Sequence, residues 1–202
     1  MGDKIKYTSY LIGAIEHATA EETICWREDI RKALNTPPTL VFYDPTLQEK
    51  IKTGKESRQQ CEYIAGLKRA GHWDIFMEEM EKIWLGHIKS QYDLIEIFKT
   101  LRYRKLIDGN EERDFAFFGD FEAVIRSDFV IAYLPKDINT VGSLIEIFLA
   151  MLLKIPVYLI IDVPKTECNS TLLWMILYSN GMIFYNIKDC ITFIKEKYLK
   201  SK

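Results

Sequence analysis

Glu146 is a carboxylate inside one of the most apolar stretches of the chain, with Leu144, Ile145, Ile147, Phe148 and Leu149 around it. Burying an unpaired carboxylate costs on the order of several kcal/mol, so Glu146 must face a cleft, a partner or the surface. Just before it stand Thr140, Gly142 and Ser143. The Thr140 hydroxyl can cap a helix start, and free first-turn amides at the positive end of the helix dipole make an anion site. Plain capping by Thr140 and relief of crowding by Gly142 are equally open. A carboxylate beside an anion site suits attack on an electrophilic sugar carbon, through an oxocarbenium-like transition state to a glycosyl ester. A leaving nucleobase then needs a proton, and Asp120 and Asp128 are acids within reach in sequence. Asp128 also fits a purely structural role, a polar residue ending a loop as a strand begins.

The elements that must position these groups follow from hydrophobic patterning. Phe129–Leu134 and Pro156–Ile161 are apolar almost throughout, as strands of a parallel sheet covered on both faces are. Between them a helix is expected over about Val141–Leu153, so Glu146 lies one turn beyond a strand-to-helix loop, where ligands bind in open α/β sheets. Tyr7–Ile12 predicts a first strand ending at Gly13, Glu16–Leu34 a helix stopped by Pro37-Pro38, and Thr39–Tyr43 a second strand running into the turn Asp44-Pro45. Phe115–Arg126 and Thr171–Tyr178 read as helices, Met182–Tyr185 as a last strand and Lys188–Leu199 as a closing amphipathic helix. The whole, residues 1–202, reads as one α/β domain: a doubly wound, flavodoxin- or Rossmann-like parallel sheet of about five strands.

A helical insertion over about residues 46–113 follows the second strand. In it His72–Leu101 carries apolar residues at helical spacing, with Gly86 as a break. It forms either a lid, an oligomer contact or extra helices packed on the sheet.

Composition narrows the classes. A hydrophobic fraction of 48% and a net charge of −2 suit an ordinary globular protein and give no reason to expect a nucleic-acid polymer. The opening residues lack the apolar segment of a signal peptide, and Glu146, Lys154, Pro156 and Asp162 interrupt the greasiest region, so no membrane association is expected. Cys25, Cys61, Cys168 and Cys190 are scattered, which predicts reduced thiols in a cytoplasmic protein, with no metal and no cofactor.

Three segments together resemble the nucleoside 2-deoxyribosyltransferase family. Tyr10-Leu11-Ile12-Gly13 is similar to its opening motif, and Gly119-Asp120 followed by Asp128 to its central Asp segment. Thr140–Glu146 with Ala150 and Lys154-Ile155-Pro156 is similar to its catalytic segment. The resemblance covers about half of the chain, and the insertion lies outside it. It implies Glu146 as nucleophile, Asp120 as the group that positions and helps protonate the base, and Tyr10 as the group that orients Glu146. Gly13, Asp128, Thr140, Gly142 and Ser143 would then bind substrate. Asn169 would reach into a neighbouring subunit's site, so a homodimer or higher homo-oligomer is implied.

One departure matters. The transferases have an Asp where this chain has Thr140, whereas related N-glycosidases of nucleoside 5′-monophosphates have a small hydroxyl residue there. Those hydrolases favour Gly where this chain has Leu144. The expected substrate is a nucleoside or its 5′-monophosphate, with water or a free nucleobase as acceptor. The alternatives are a glycohydrolase of an NAD-type dinucleotide and a non-catalytic nucleotide sensor. The joint presence of Tyr10, Asp120 and Glu146 favours an enzyme over the sensor.

Overall fold

Alternation along the strands decides the architecture, because each strand sends successive side chains to opposite faces. A computed structural model describes residues 7–15, 18–36, 39–47, 54–86, 119–135 and 141–200. Its sheet has five parallel strands: β1 Tyr7–Gly13, β2 Leu40–Tyr43, β3 Phe129–Leu134, β4 Val157–Ile161 and β5 Met182–Phe184, in the order β2-β1-β3-β4-β5. The order reverses between β1 and β3, so the crevice at their carboxyl ends is the topological switch point.

Helices cover both faces. On one face Leu11, Phe129, Ile131, Tyr158 and Ile160 pack against α1 (Ala20–Leu34) and the closing helix α7 (Ile187–Ile194). On the other face Tyr10, Ile12, Val130, Ala132, Leu159 and Ile161 meet α4 (Asp120–Arg126), α5 (Val141–Leu152) and α6 (Ser170–Tyr178). Two buried faces explain why β3 and β4 are apolar at every position. The expected doubly wound α/β fold is present.

Local chemistry sets the ends. The helix expected from Glu16 starts at Ala20, because Thr19 and Glu22 form a reciprocal capping box. After β2 come α2 (Ser57–Ala70) and α3 (Trp73–Trp84), the first of which was not anticipated as an element of its own. The helix expected over His72–Leu101 stops at Trp84, and Gly86 takes a left-handed φ of 59° that breaks it. Residues 87–113 of the insertion lie outside the described residues. No helix among the described residues is long and apolar enough to cross a membrane.

Candidate active site

Tyr10 sits in the middle of β1, paired with Tyr43 of β2 on one side and Val130 of β3 on the other. Its side chain faces α4 and α5. There its hydroxyl donates to Glu146 Oε1 at 2.6 Å, in a buried contact. The bond is short, as expected for a hydroxyl donating to a carboxylate. Glu146 is 6% exposed and Asp120 8%, so both carboxylates belong to the interior rather than to a solvated helix face.

The electrostatics of Tyr10 report how close these groups are. Burial raises its phenol well above the ordinary value. Asp120, Glu146, the hydrogen bond to Glu146 and the neighbouring Tyr43 push in the same direction. Tyr10 is therefore a fixed donor, protonated throughout the physiological range. Its ring packs against Tyr43, with centroids 5.3 Å apart.

Two helices deliver the acids. Asp120 is the first residue of α4, capped by Gly119. A Cβ on Gly119 would lie 2.3 Å from the Trp84 carbonyl oxygen and 2.5 Å from the Leu85 carbonyl carbon. Only glycine fits where the end of α3 crosses the start of α4. Glu146 lies four residues after Gly142, on the same side of α5. A Cβ on Gly142 would come within 3.3 Å of the Trp84 ring. Ser143, in the first turn of α5, is buried.

Arg27 anchors the strand ends beside this site. It is completely buried, and its guanidinium donates to the carbonyls of Thr23 and Gly13, the latter at 2.9 Å. Arg27 Nε and Arg31 Nε lie 3.7 and 3.1 Å from the carboxylate of buried Asp44. Asp44 in turn accepts from the Thr46 amide and hydroxyl at 3.0 and 2.7 Å. This network ties α1 to the carboxyl ends of β1 and β2. Gly13 is packed closely, since a Cβ there would lie 2.7 Å from the Trp26 ring. Its visible role is this close approach of α1.

Not every expected site residue joins the group. Asp128 precedes β3, at the amino ends of the strands, and its Oδ2 accepts the Thr8 amide at 2.9 Å. It latches β3 to β1 at the end of the sheet opposite the carboxyl ends of the strands, which is the structural role open to it from the sequence. Asn169 is exposed and caps α6, its Oδ1 accepting the amides of Thr171 and Leu172 at 2.9 and 3.3 Å. Thr140 lies outside the described residues. The sequence pattern does not mark Arg27, Asp44 or Trp84 as site groups. Arg27 had a signal, a charge on the helix stripe that also carries Ile30 and Leu34; Trp84 had none, being remote in sequence from both acids.

Chemically, the arrangement offers a carboxylate oriented by a phenol, a second carboxylate nearby and an aromatic border. Comparison of the chain with protein-family models and with curated proteins gives no match.

Proposed function

We propose that the protein cleaves the N-glycosidic bond of a nucleoside, or of its 5′-monophosphate, through a covalent glycosyl–Glu146 intermediate. The observation that carries this reading is the 2.6 Å bond from the Tyr10 hydroxyl to Glu146 Oε1, with Asp120 near the same phenol. A buried carboxylate is a cost to the fold, and a phenol that fixes its plane without neutralising it suits a nucleophile.

In the first step a Glu146 oxygen attacks the anomeric carbon as the bond to the base nitrogen breaks. The base leaves with the bonding pair and takes a proton from the Asp120 carboxylic acid. In the second step water, or the nitrogen of another base, attacks the same carbon. Glu146 departs as a carboxylate, which the Tyr10 hydroxyl stabilises, and Asp120 recovers the proton. No step calls for a metal or an organic cofactor.

A homodimer goes with this reading. Val141, Leu144, Ile145, Phe148 and Leu152 form an exposed apolar stripe on α5, and Trp174, Leu177 and Tyr178 are exposed on the adjoining α6. A stripe of that kind is more than scattered surface hydrophobicity. A second copy is the favoured occupant, because the stripe shares α5 with Glu146 and Asn169 caps the α6 that continues it.

The test is incubation with a panel of nucleosides, their 5′-monophosphates and NAD, each with and without free nucleobases, followed by chromatography. Release of a base, abolished in Glu146→Gln, supports the proposal. Release of nicotinamide alone would move the substrate to a dinucleotide, and binding without any release would mark a sensor.

A further inference from the structure

We infer that Trp84, delivered by the insertion, is the surface on which the nucleobase stacks and so a determinant of base selectivity. The inference rests on the glycosidic-bond reading of the site. The insertion's second helix ends at Trp84, and three contacts fix that end against the starts of the two helices that carry the acids. The Trp84 and Leu85 backbone crosses Gly119, immediately before Asp120, where a side chain would have no room. The indole ring lies against Phe121, immediately after Asp120, with centroids 5.0 Å apart. Its six-membered ring also lies over Gly142, where a Cβ would be 3.3 to 3.4 Å from Cη2 and Cζ2.

Gly142 and Glu146 are one turn apart on α5, so the indole covers the helix face that Glu146 uses, just beyond its amino-terminal side. Trp84 is only partly buried. Part of the indole therefore remains open, on a side chain whose contacts flank Asp120 and lie one turn from Glu146. A nucleobase is flat, and it must lie on the side of the anomeric carbon opposite the attacking oxygen, towards its proton donor. An indole held rigidly between the Asp120 and Glu146 helices meets those demands. Stacking tolerates many bases, since every base has a π-face; edge contacts would then sharpen the choice.

The experiment follows tryptophan fluorescence in Glu146→Gln while free adenine, cytosine, guanine or hypoxanthine is added. Three other tryptophans contribute background, so Trp84→Phe is made in the same protein and binding is measured separately by calorimetry. Saturable quenching that disappears in Trp84→Phe, with calorimetric binding retained, is the expected result. In the otherwise unaltered enzyme Trp84→Ala should raise KM about tenfold, with a smaller change in kcat and an altered ranking of bases. Quenching that persists in Trp84→Phe, or an unchanged KM and ranking in a folded Trp84→Ala, overturns the stacking role. Failure of the unaltered enzyme to release any base from nucleosides would instead overturn the glycosidase reading. The free-base titration would still report on Trp84 by itself.

Discussion

Tyr10 and Glu146 are 136 residues apart in the chain and 2.6 Å apart in the fold, phenol to carboxylate. The contact is made by β1 and α5, which meet because β3 enters the sheet beside β1. Removing the hydroxyl in Tyr10→Phe takes a charge-assisted hydrogen bond from a buried carboxylate, a loss of about 1.5–3 kcal/mol. Urea titration should show that loss. Base release should fall at least tenfold through kcat, because the phenol acts on the attacking and departing carboxylate rather than on substrate affinity. A Tyr10→Phe protein with parental kcat would remove the phenol from the mechanism.

Glu146→Gln separates chemistry from folding. The amide keeps the shape and can still accept from Tyr10, while the cost of burying a charge disappears. Stability should be equal to or above the parent's and base release should be nearly abolished. Activity close to the parent's would exclude Glu146 as nucleophile.

Much of this fold was legible because buried parallel strands leave an unmistakable pattern. β3 occurs over Phe129–Leu134 as expected, and α5 ends one residue short of expectation at Leu152. Glu146 was legible as a misfit, a charge among Leu and Ile, and the structure buries it. The helix Ser57–Ala70 was hidden because Ile64 and Leu67 are the only large apolar residues that it buries. Asp128 was ambiguous in principle. A carboxylate before a strand reads alike whether it awaits a ligand or, as here, holds the amide of Thr8. Trp84 could not be placed from sequence, since the glycines that it crosses, Gly119 and Gly142, belong to other segments of the chain.

Gly119→Ala tests the docking of the insertion. The added methyl would meet backbone rather than a yielding side chain, at 2.3 Å from the Trp84 carbonyl oxygen. Overpacking of this kind costs about 1–3 kcal/mol. Thermal unfolding should drop accordingly, and the fluorescence of Trp84 should shift as the end of α3 moves away. Gly66→Ala is the control: a Cβ there meets nothing within 4 Å, and alanine is the better helix former.

Arg27 and Asp44 should be far less tolerant. Both are buried and engaged with one another, so removing Asp44 takes the carboxylate from a fully buried guanidinium, at about 3–5 kcal/mol, while removing Arg27 empties a fully buried site and leaves Asp44 to Arg31. Asp44→Ala and Arg27→Ala should each lower the urea midpoint sharply. Their double variant should lose less than the sum, and strict additivity would show that the pair is not coupled.

Alkaline pH offers a reading of the core. Burial pushes the Cys190 thiol up to about 12, and it raises the phenols of Tyr10 and Tyr158 as well. In the unfolded chain a thiol titrates near pH ~8.5 and a phenol near pH ~10. Above those values the unfolded state binds fewer protons than the folded one, so stability present in full below them declines as pH rises toward 12. Urea midpoints should hold steady up to about pH 8 and then fall, less steeply in Cys190→Ala. Cys25 is exposed and should react with a thiol reagent in the folded protein, whereas buried Cys190 should react only on unfolding. Equal slopes for the parent and Cys190→Ala would remove the thiol's share.

The apolar stripe on α5 gives the last test. Val141, Leu144, Ile145, Phe148 and Leu152 recur at steps of 3, 1, 3 and 4 and are all exposed, although their helix also carries Glu146. A stripe that packs against a second copy is buried twice over by a two-fold axis, so one charge in it is felt by both protomers. Phe148→Glu would bring two carboxylates into the proposed contact and should shift the proposed dimer to monomer in sedimentation or light scattering. Thermal stability of the isolated protomer should hardly change, because the side chain contributes little to its own core. Base release should fall with dissociation if Asn169 of one copy serves the other's site, and Asn169→Ala in the intact dimer should then raise KM. A Phe148→Glu protein with the parent's mass and activity would free the stripe of any role in self-association.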